Sequence, residues 1–130
     1  MSDSNRSVPV PAINEETQAF WEATAEGKLL LKHCNDCQEY HWYPRSKCPF
    51  CHSLNTRWTE SAGTGVIYSY SVMRRVDPMY TLAYVTLTEG VTVMTNLIEC
   101  DFDALEIGQK VRVVFRDTGE GSAVPYFTLA

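Results

Sequence analysis

The eighteen residues Cys34–Cys51, CNDCQEYHWYPRSKCPFC, decide how this chain is read. Two CxxC pairs, CNDC and CPFC, stand ten residues apart. Four thiolates converging from two tight turns suit the tetrahedral preference of zinc, and two intervening residues let the chain reverse around one ion. The spacer is short, but Tyr43, Pro44 and Arg45 give it room to loop out and return, so a compact two-knuckle ribbon is expected. Cys34, Cys37, Cys48 and Cys51 are the expected metal ligands. Iron suits the same four-sulfur cage, because tetrahedral sulfur coordination serves both metals. A pair of disulfides would require an oxidising compartment that nothing in the chain indicates. The residues after each pair are Gln38 and His52, where a sharp knuckle turn often places glycine to reach positive φ.

Outward from this stretch, 130 residues with 45% hydrophobic content suffice for one ordinary domain or for a small metal module joined to a compact barrel. No signal peptide and no membrane-length apolar run is read, which implies a cytoplasmic protein. The net charge of −5 argues against a general nucleic-acid binder. Its distribution is uneven: residues 28–58 carry +3 and the two flanking segments −4 each. An anion-facing patch on the ribbon and a merely solvated surface both fit that distribution. The fifth cysteine, Cys100, ends an apolar run and reads as a buried strand thiol.

Residues 1–13, with Pro9 and Pro11, read as a flexible or extended arm. Asn14 is a helix cap, Glu15 and Glu16 suit the positive end of a helix dipole and Gly27 is a stop, giving one helix over about 15–26. Phe20 and Trp21 on this helix are either core residues against the ribbon or anchors for a partner. The run Lys28–Lys32 reads as a strand delivering Cys34 to the metal, and Thr56–Thr59 as the exit. Residues 14–60 thus form a helix plus ribbon with almost no apolar core, so metal binding must supply the ribbon's folding free energy, on the order of 10 kcal/mol.

Residues 61–130 change to period two. Val66, Tyr68, Tyr70 and Val72 alternate with Ile67, Ser69, Ser71 and Met73 in a first strand. Residues 80–88 and 91–99 pair as a hairpin around Glu89 and Gly90. A helical turn over 101–105 and strands over 110–116 and 124–129 follow. Five strands with a helical insertion after the third describe a Greek-key barrel of the oligonucleotide/oligosaccharide-binding type (OB-fold), and the same count also builds an open sandwich.

The order of segments carries a resemblance over Phe20–Phe127. FWE in the helix, the first CxxC, YPR at Tyr43–Arg45, CPFC, Trp58, GTGVIYSYSV at Gly63–Val72, EGV at Glu89–Val91 and IGQKVRVVF at Ile107–Phe115 are similar to a family of small proteins. In that family a rubredoxin-like zinc ribbon precedes an OB-fold, and its members are associated with acyl-CoA metabolism. They resemble subunits or partners of thiolases, thiolase-like steroid aldolases, hydroxymethylglutaryl-CoA synthases and acyl-CoA hydratases. The resemblance implies an accessory role beside an enzyme that does the bond chemistry. Gln38 departs from the family, whose members usually carry glycine there.

No catalytic constellation is visible in the residues themselves. His33, His41 and His52 crowd the ribbon, where surface positions or hydrogen bonding around the thiolates are expected of them. With all four sulfurs committed, no open position remains for a metal-bound water. Arg45 and Lys47 on the ribbon and Arg74 and Arg75 after the first barrel strand are candidates for CoA phosphate contact, or are solvated charges and partner salt bridges. Met79 and Tyr80, with Pro78, form a candidate partner or acyl-group surface. Two further readings stay open: a single-stranded nucleic-acid module of ribbon and barrel, and a rubredoxin-like electron carrier holding iron.

Overall fold

A computed structural model describes residues 7–130; the first six positions of the expected arm lie outside the described residues, and residues 7–14 carry no helix or strand. In chain order the elements are α1 (Gln18–Ala25), β1 (Leu30–Cys34), β2 (Tyr40–His41), β3 (Thr56–Glu60), β4 (Thr64–Met73), β5 (Tyr80–Leu87), β6 (Thr92–Leu97), a 3₁₀ turn (Phe102–Ala104), β7 (Lys110–Asp117) and β8 (Ala123–Leu129).

The helix starts later than its sequence suggests. Asn14 Oδ1 accepts the Thr17 N–H at 3.0 Å while Thr17 Oγ1 accepts the Asn14 N–H at 3.3 Å. This reciprocal pair closes a separate turn before the helix and takes Glu15 and Glu16 out of it. At the other end Gly27 has φ 75° and its N–H reaches the Thr24 carbonyl at 3.0 Å, so the expected glycine stop is present.

The first sheet has the order β2-β1-β3, with Lys32 between His41 and Trp58. The second is a closed barrel in the order β4-β5-β6-β8-β7, β7 pairing back onto β4, which decides for the OB-fold over the open sandwich. The hairpin of β5 and β6 pairs Tyr84 with Met94 and turns through Leu87–Val91. Glu89 in that turn holds the exit from the ribbon, accepting from Ser61 Oγ at 2.8 Å and the Ala62 N–H at 2.9 Å.

Strict alternation fails in β4. The register slips between Ile67 and Ser69, so Tyr68 is an extra, outward residue. Ile67 points into the barrel, and Tyr70 and Val72 beyond the bulge pack against the same core. An extra residue in one strand inverts the facing of everything after it, which a period-two count cannot reveal.

One apolar cluster joins the two sheets: Phe20, Trp21, Leu29 and Leu31 belong to the same core as Ile67, Val85, Leu97 and Phe127. The expectation of a ribbon almost without apolar core is therefore corrected. α1 lies against β1 and β8, and Thr24 Oγ1 accepts the Ala123 N–H at 3.2 Å while donating to the Trp21 carbonyl at 2.7 Å. Cys100 is also corrected: it is half-buried in the bend after β6, packed against the core and not within a strand.

Candidate metal centre

The two knuckles are built alike. In the first, the Gln38 N–H bonds the Cys34 carbonyl at 2.9 Å and the Cys34 N–H bonds the Glu39 carbonyl at 2.9 Å. In the second, the His52 N–H bonds the Cys48 carbonyl and the Cys48 N–H the Ser53 carbonyl, again at 2.9 Å each. Gln38 and His52 sit at φ 64° and 66°, so both non-glycine residues take the left-handed conformation the turn demands. A side chain there costs about 1 kcal/mol relative to glycine. Gln38 recovers part of this through a 2.6 Å bond from Nε2 to the Asn35 carbonyl, whereas no hydrogen bond of the His52 side chain is seen among the described residues. His52→Gly is therefore expected to raise the unfolding free energy of the metal-loaded protein by about 1 kcal/mol; a chemical denaturation curve that shifts the other way would show that the ring makes a contact of its own.

All four sulfurs lie within 4.8 Å of one another. Cys34 and Cys51 Sγ are 3.6 Å apart and Cys37 and Cys48 Sγ 3.7 Å, close to the ~3.8 Å edge of a tetrahedron with metal–sulfur bonds of ~2.3 Å. A disulfide requires ~2.05 Å, and the five cysteines are free thiols. The donors thus fit one tetrahedral cation. Their protons are shared unequally. Burial pushes Cys37 up to about 12, helped by the thiols around it, while Cys48 falls to about 7 because the Cys51 and Phe50 N–H groups and neighbouring thiols outweigh its burial. Four adjacent thiolates repel one another unless a cation is placed among them, so the cage favours a metal over its protons.

A polar network clamps one knuckle to the other, and nothing in the sequence pattern signals it separately. The Asp36 carboxylate accepts from Ser53 Oγ and from Asn55 Nδ2, which hold its pKa below the ordinary carboxylate range. Asn35 bonds Asn55 through side chain and backbone and accepts from Arg57 Nε at 2.9 Å. A second clamp ties the N-terminal turn to the loop: Glu16 Oε2 accepts the Ser46 N–H at 2.7 Å. That bond first, then the charges of Arg45 and Lys32, lowers the Glu16 pKa. A depressed folded pKa contributes stability that is present above the unfolded pKa, near 4.5, and lost as pH falls through the folded one. Glu16→Gln is expected to flatten that acid limb of a melting-temperature profile; an unchanged limb would remove Glu16 from the account.

The candidate residues fall in different places. Phe20 and Trp21, considered as partner anchors, are only 1% and 8% exposed, and this is a correction. Phe20 meets Trp21, Trp42 and Tyr43 edge to face, with centroids 4.8, 5.2 and 6.2 Å apart, so helical burial against the ribbon consumes both rings. His33 and His41 are buried and not on the surface; His33 stacks edge-on to Tyr40. Among the described residues neither His41 ring nitrogen has a hydrogen-bond partner, and burial lowers its pKa. Arg45 and Lys47 are exposed on the ribbon loop. Arg74 is occupied by Asp103 at 2.8 Å, while Arg75 is exposed. Met79 and Tyr80 are half-buried, Met79 against the core. The structure brings the four cysteines together and leaves these other candidates dispersed.

Fold and site together define a class: a rubredoxin-like metal ribbon joined to an OB-fold barrel. Family models described as the rubredoxin-like zinc ribbon domain of ChsH2 and its C-terminal OB-fold domain match residues 21–57 and 58–116. The chain belongs to this ChsH2 family of DUF35 proteins. It is 33% identical to a DUF35 domain-containing scaffold protein of Methanothermobacter thermautotrophicus, over 85% of this chain and 92% of the relative. It is also 33% identical to a probable enoyl-CoA hydratase alpha subunit of Thermomonospora curvata, but spans only 39% of that protein's length. Among solved structures, the Ltp2-ChsH2(DUF35) aldolase superposes with a TM-score of 0.81 at 32% identity, covering 92% of this chain and 98% of the other. Among the described residues no helix is long and apolar enough to cross a membrane.

Proposed function

We propose that this chain is an accessory subunit without catalytic machinery of its own, docking onto a thiolase-like aldolase or acyl-CoA hydratase subunit and supporting its reaction. The observation that carries this reading is the likeness, along nearly the whole chain, to the ChsH2 component of an aldolase complex. Chemistry agrees with it: four thiols fill a tetrahedral cation's coordination, leaving no position for a metal-bound water. Zinc is the metal in this reading, held for structure by Cys34, Cys37, Cys48 and Cys51, and thiolate ligands suit a reducing, cytoplasmic setting. In this reading acyl-CoA phosphates meet the exposed Arg45, Lys47 and Arg75, with Met79 and Tyr80 beside the enzyme.

Purifying the tagged chain from its native host and identifying stoichiometric companions tests the proposal. A thiolase-like, aldolase or hydratase subunit is expected, with one zinc per chain. Absence of any acyl-CoA enzyme, together with no thermal shift on adding CoA, would overturn it. Steeply salt-dependent binding of single-stranded DNA or RNA would instead favour the nucleic-acid reading, and a coloured, iron-loaded protein the electron carrier.

A further inference from the structure

The exposed apolar side chains borne by barrel strands lie on one face, while Val76 and Ile107, 49% and 70% exposed, stand in loops. Tyr68 at the bulge, Tyr84 and Met94 are 66%, 44% and 59% exposed, and Val66 lies nearby at 38%. Strand register sets them side by side: Tyr84 stands opposite Ser69 on β4, next to Tyr68, and opposite Met94 on β6. Solvent normally claims such positions for charged side chains, yet the outward residues of β4, β5 and β6 include none, in a chain that is 21% charged. The threonines between them spend their hydroxyls on one another, Thr86 with Thr92 at 2.9 Å and Thr64 with Thr88 at 2.7 Å. Tyrosine, methionine and unpaired arginine with few acidic groups is the composition of an interface centre.

Charge borders the face on one side. On β7, Lys110 stands opposite Val66 and Arg112 opposite Thr64, both exposed. Neither has an ion-pair partner among the described residues, whereas the barrel's Arg74 and Arg116 are paired with Asp103 and Glu99. A cleft of about 380 Å³ opens beside this edge, walled by Thr64, Val66, Thr86, Leu87, Lys110 and Val111. Gly65 holds β4 and β5 close there, since a Cβ would stand 2.4 Å from the Thr86 carbonyl oxygen.

We infer that this face, and not the tip of the ribbon, is where the enzyme subunit docks; the inference rests on the accessory-subunit reading above. The occupant is a folded protein surface with an apolar centre, one protruding apolar side chain for the cleft, and carboxylates along the edge facing β7. A nucleic acid is disfavoured because the centre of the face holds no cation and the chain's net charge is −5. A second copy is disfavoured because two identical basic edges do not complement one another.

The test uses the purified acyl-CoA enzyme subunit that accompanies the wild-type chain and measures its affinity for four forms: wild type, Tyr84→Asp, Met94→Asp, and Phe50→Asp at the exposed ribbon tip. Each variant is first shown to melt like the wild type and to keep its metal. Tyr84→Asp and Met94→Asp are expected to weaken binding roughly thirtyfold or more, as loss of a central contact does, and Phe50→Asp less than about threefold. The double change Lys110→Glu, Arg112→Glu is expected to slow association and reduce its salt dependence. Barrel variants that bind like the wild type, or a ribbon-tip variant that alone fails, overturn this face while leaving the accessory role intact. A wild-type chain that retains no enzyme subunit overturns that role and this inference together. Binding of a single-stranded oligonucleotide or a long-chain acyl-CoA that the Tyr84 and Met94 changes abolish would replace the protein occupant.

Discussion

Replacing Cys37 by serine is expected to remove metal from the chain and to unfold residues 34–56. The reason is energetic. A structural zinc site supplies on the order of 10–16 kcal/mol of folding free energy in small ribbons, comparable to or larger than the ~5–15 kcal/mol net stability of a whole domain. The knuckles have little to replace it, because their tips are hydrogen-bonded turns with Phe50 and Leu54 exposed at 62% and 76%. The barrel's strand pairing does not pass through the metal, so its β-structure is expected to persist. Its melting temperature should nonetheless fall, since Leu29 and Leu31, on and beside β1, share its core. Metal content per chain and hydrogen exchange resolve these effects: one bound ion and full protection of residues 34–56 in Cys37→Ser would sink the account.

Phe20→Ala is expected to destabilise the isolated chain by about 3–5 kcal/mol, the usual cost of deleting a fully buried phenylalanine. Its ring is 1% exposed and fills the space among Trp21, Trp42 and Tyr43. A residue reserved for a partner would behave differently, leaving the free chain's stability unchanged and weakening only the complex. Urea unfolding of the metal-loaded protein alone therefore separates the two roles. A shift below about 1 kcal/mol would return Phe20 to the interface, because exposed contacts away from the core rarely exceed about 0.5 kcal/mol.

Much of the architecture was legible without coordinates. Period-two runs located every barrel strand, because each strand has one face in the core, and the glycine at position 27 marked the helix end through its positive φ. Two-residue β2 escaped notice because it is too short to show a period. Asn14 misplaced the helix start because an Asx turn and a helix cap use the same side chain in the same way. The bulge at Tyr68 and the exposed row it begins arise from register, which one strand's sequence does not contain.

Spacing alone determined the metal site, since two CxxC pairs on one short loop can close on a single ion whatever surrounds them. The same four cysteines stand together in the structure, with paired sulfurs 3.6 and 3.7 Å apart. Tertiary structure decided what lies inside and what is offered outside. Phe20 and Trp21 look like anchors on a helix considered by itself, and become core only when α1 is laid against β1 and β8. Tyr68, Tyr84 and Met94 look like ordinary strand residues until pairing sets them in one row. Burial and surface are properties of chain segments brought together across long distances, whereas a chelating loop carries its geometry within eighteen residues.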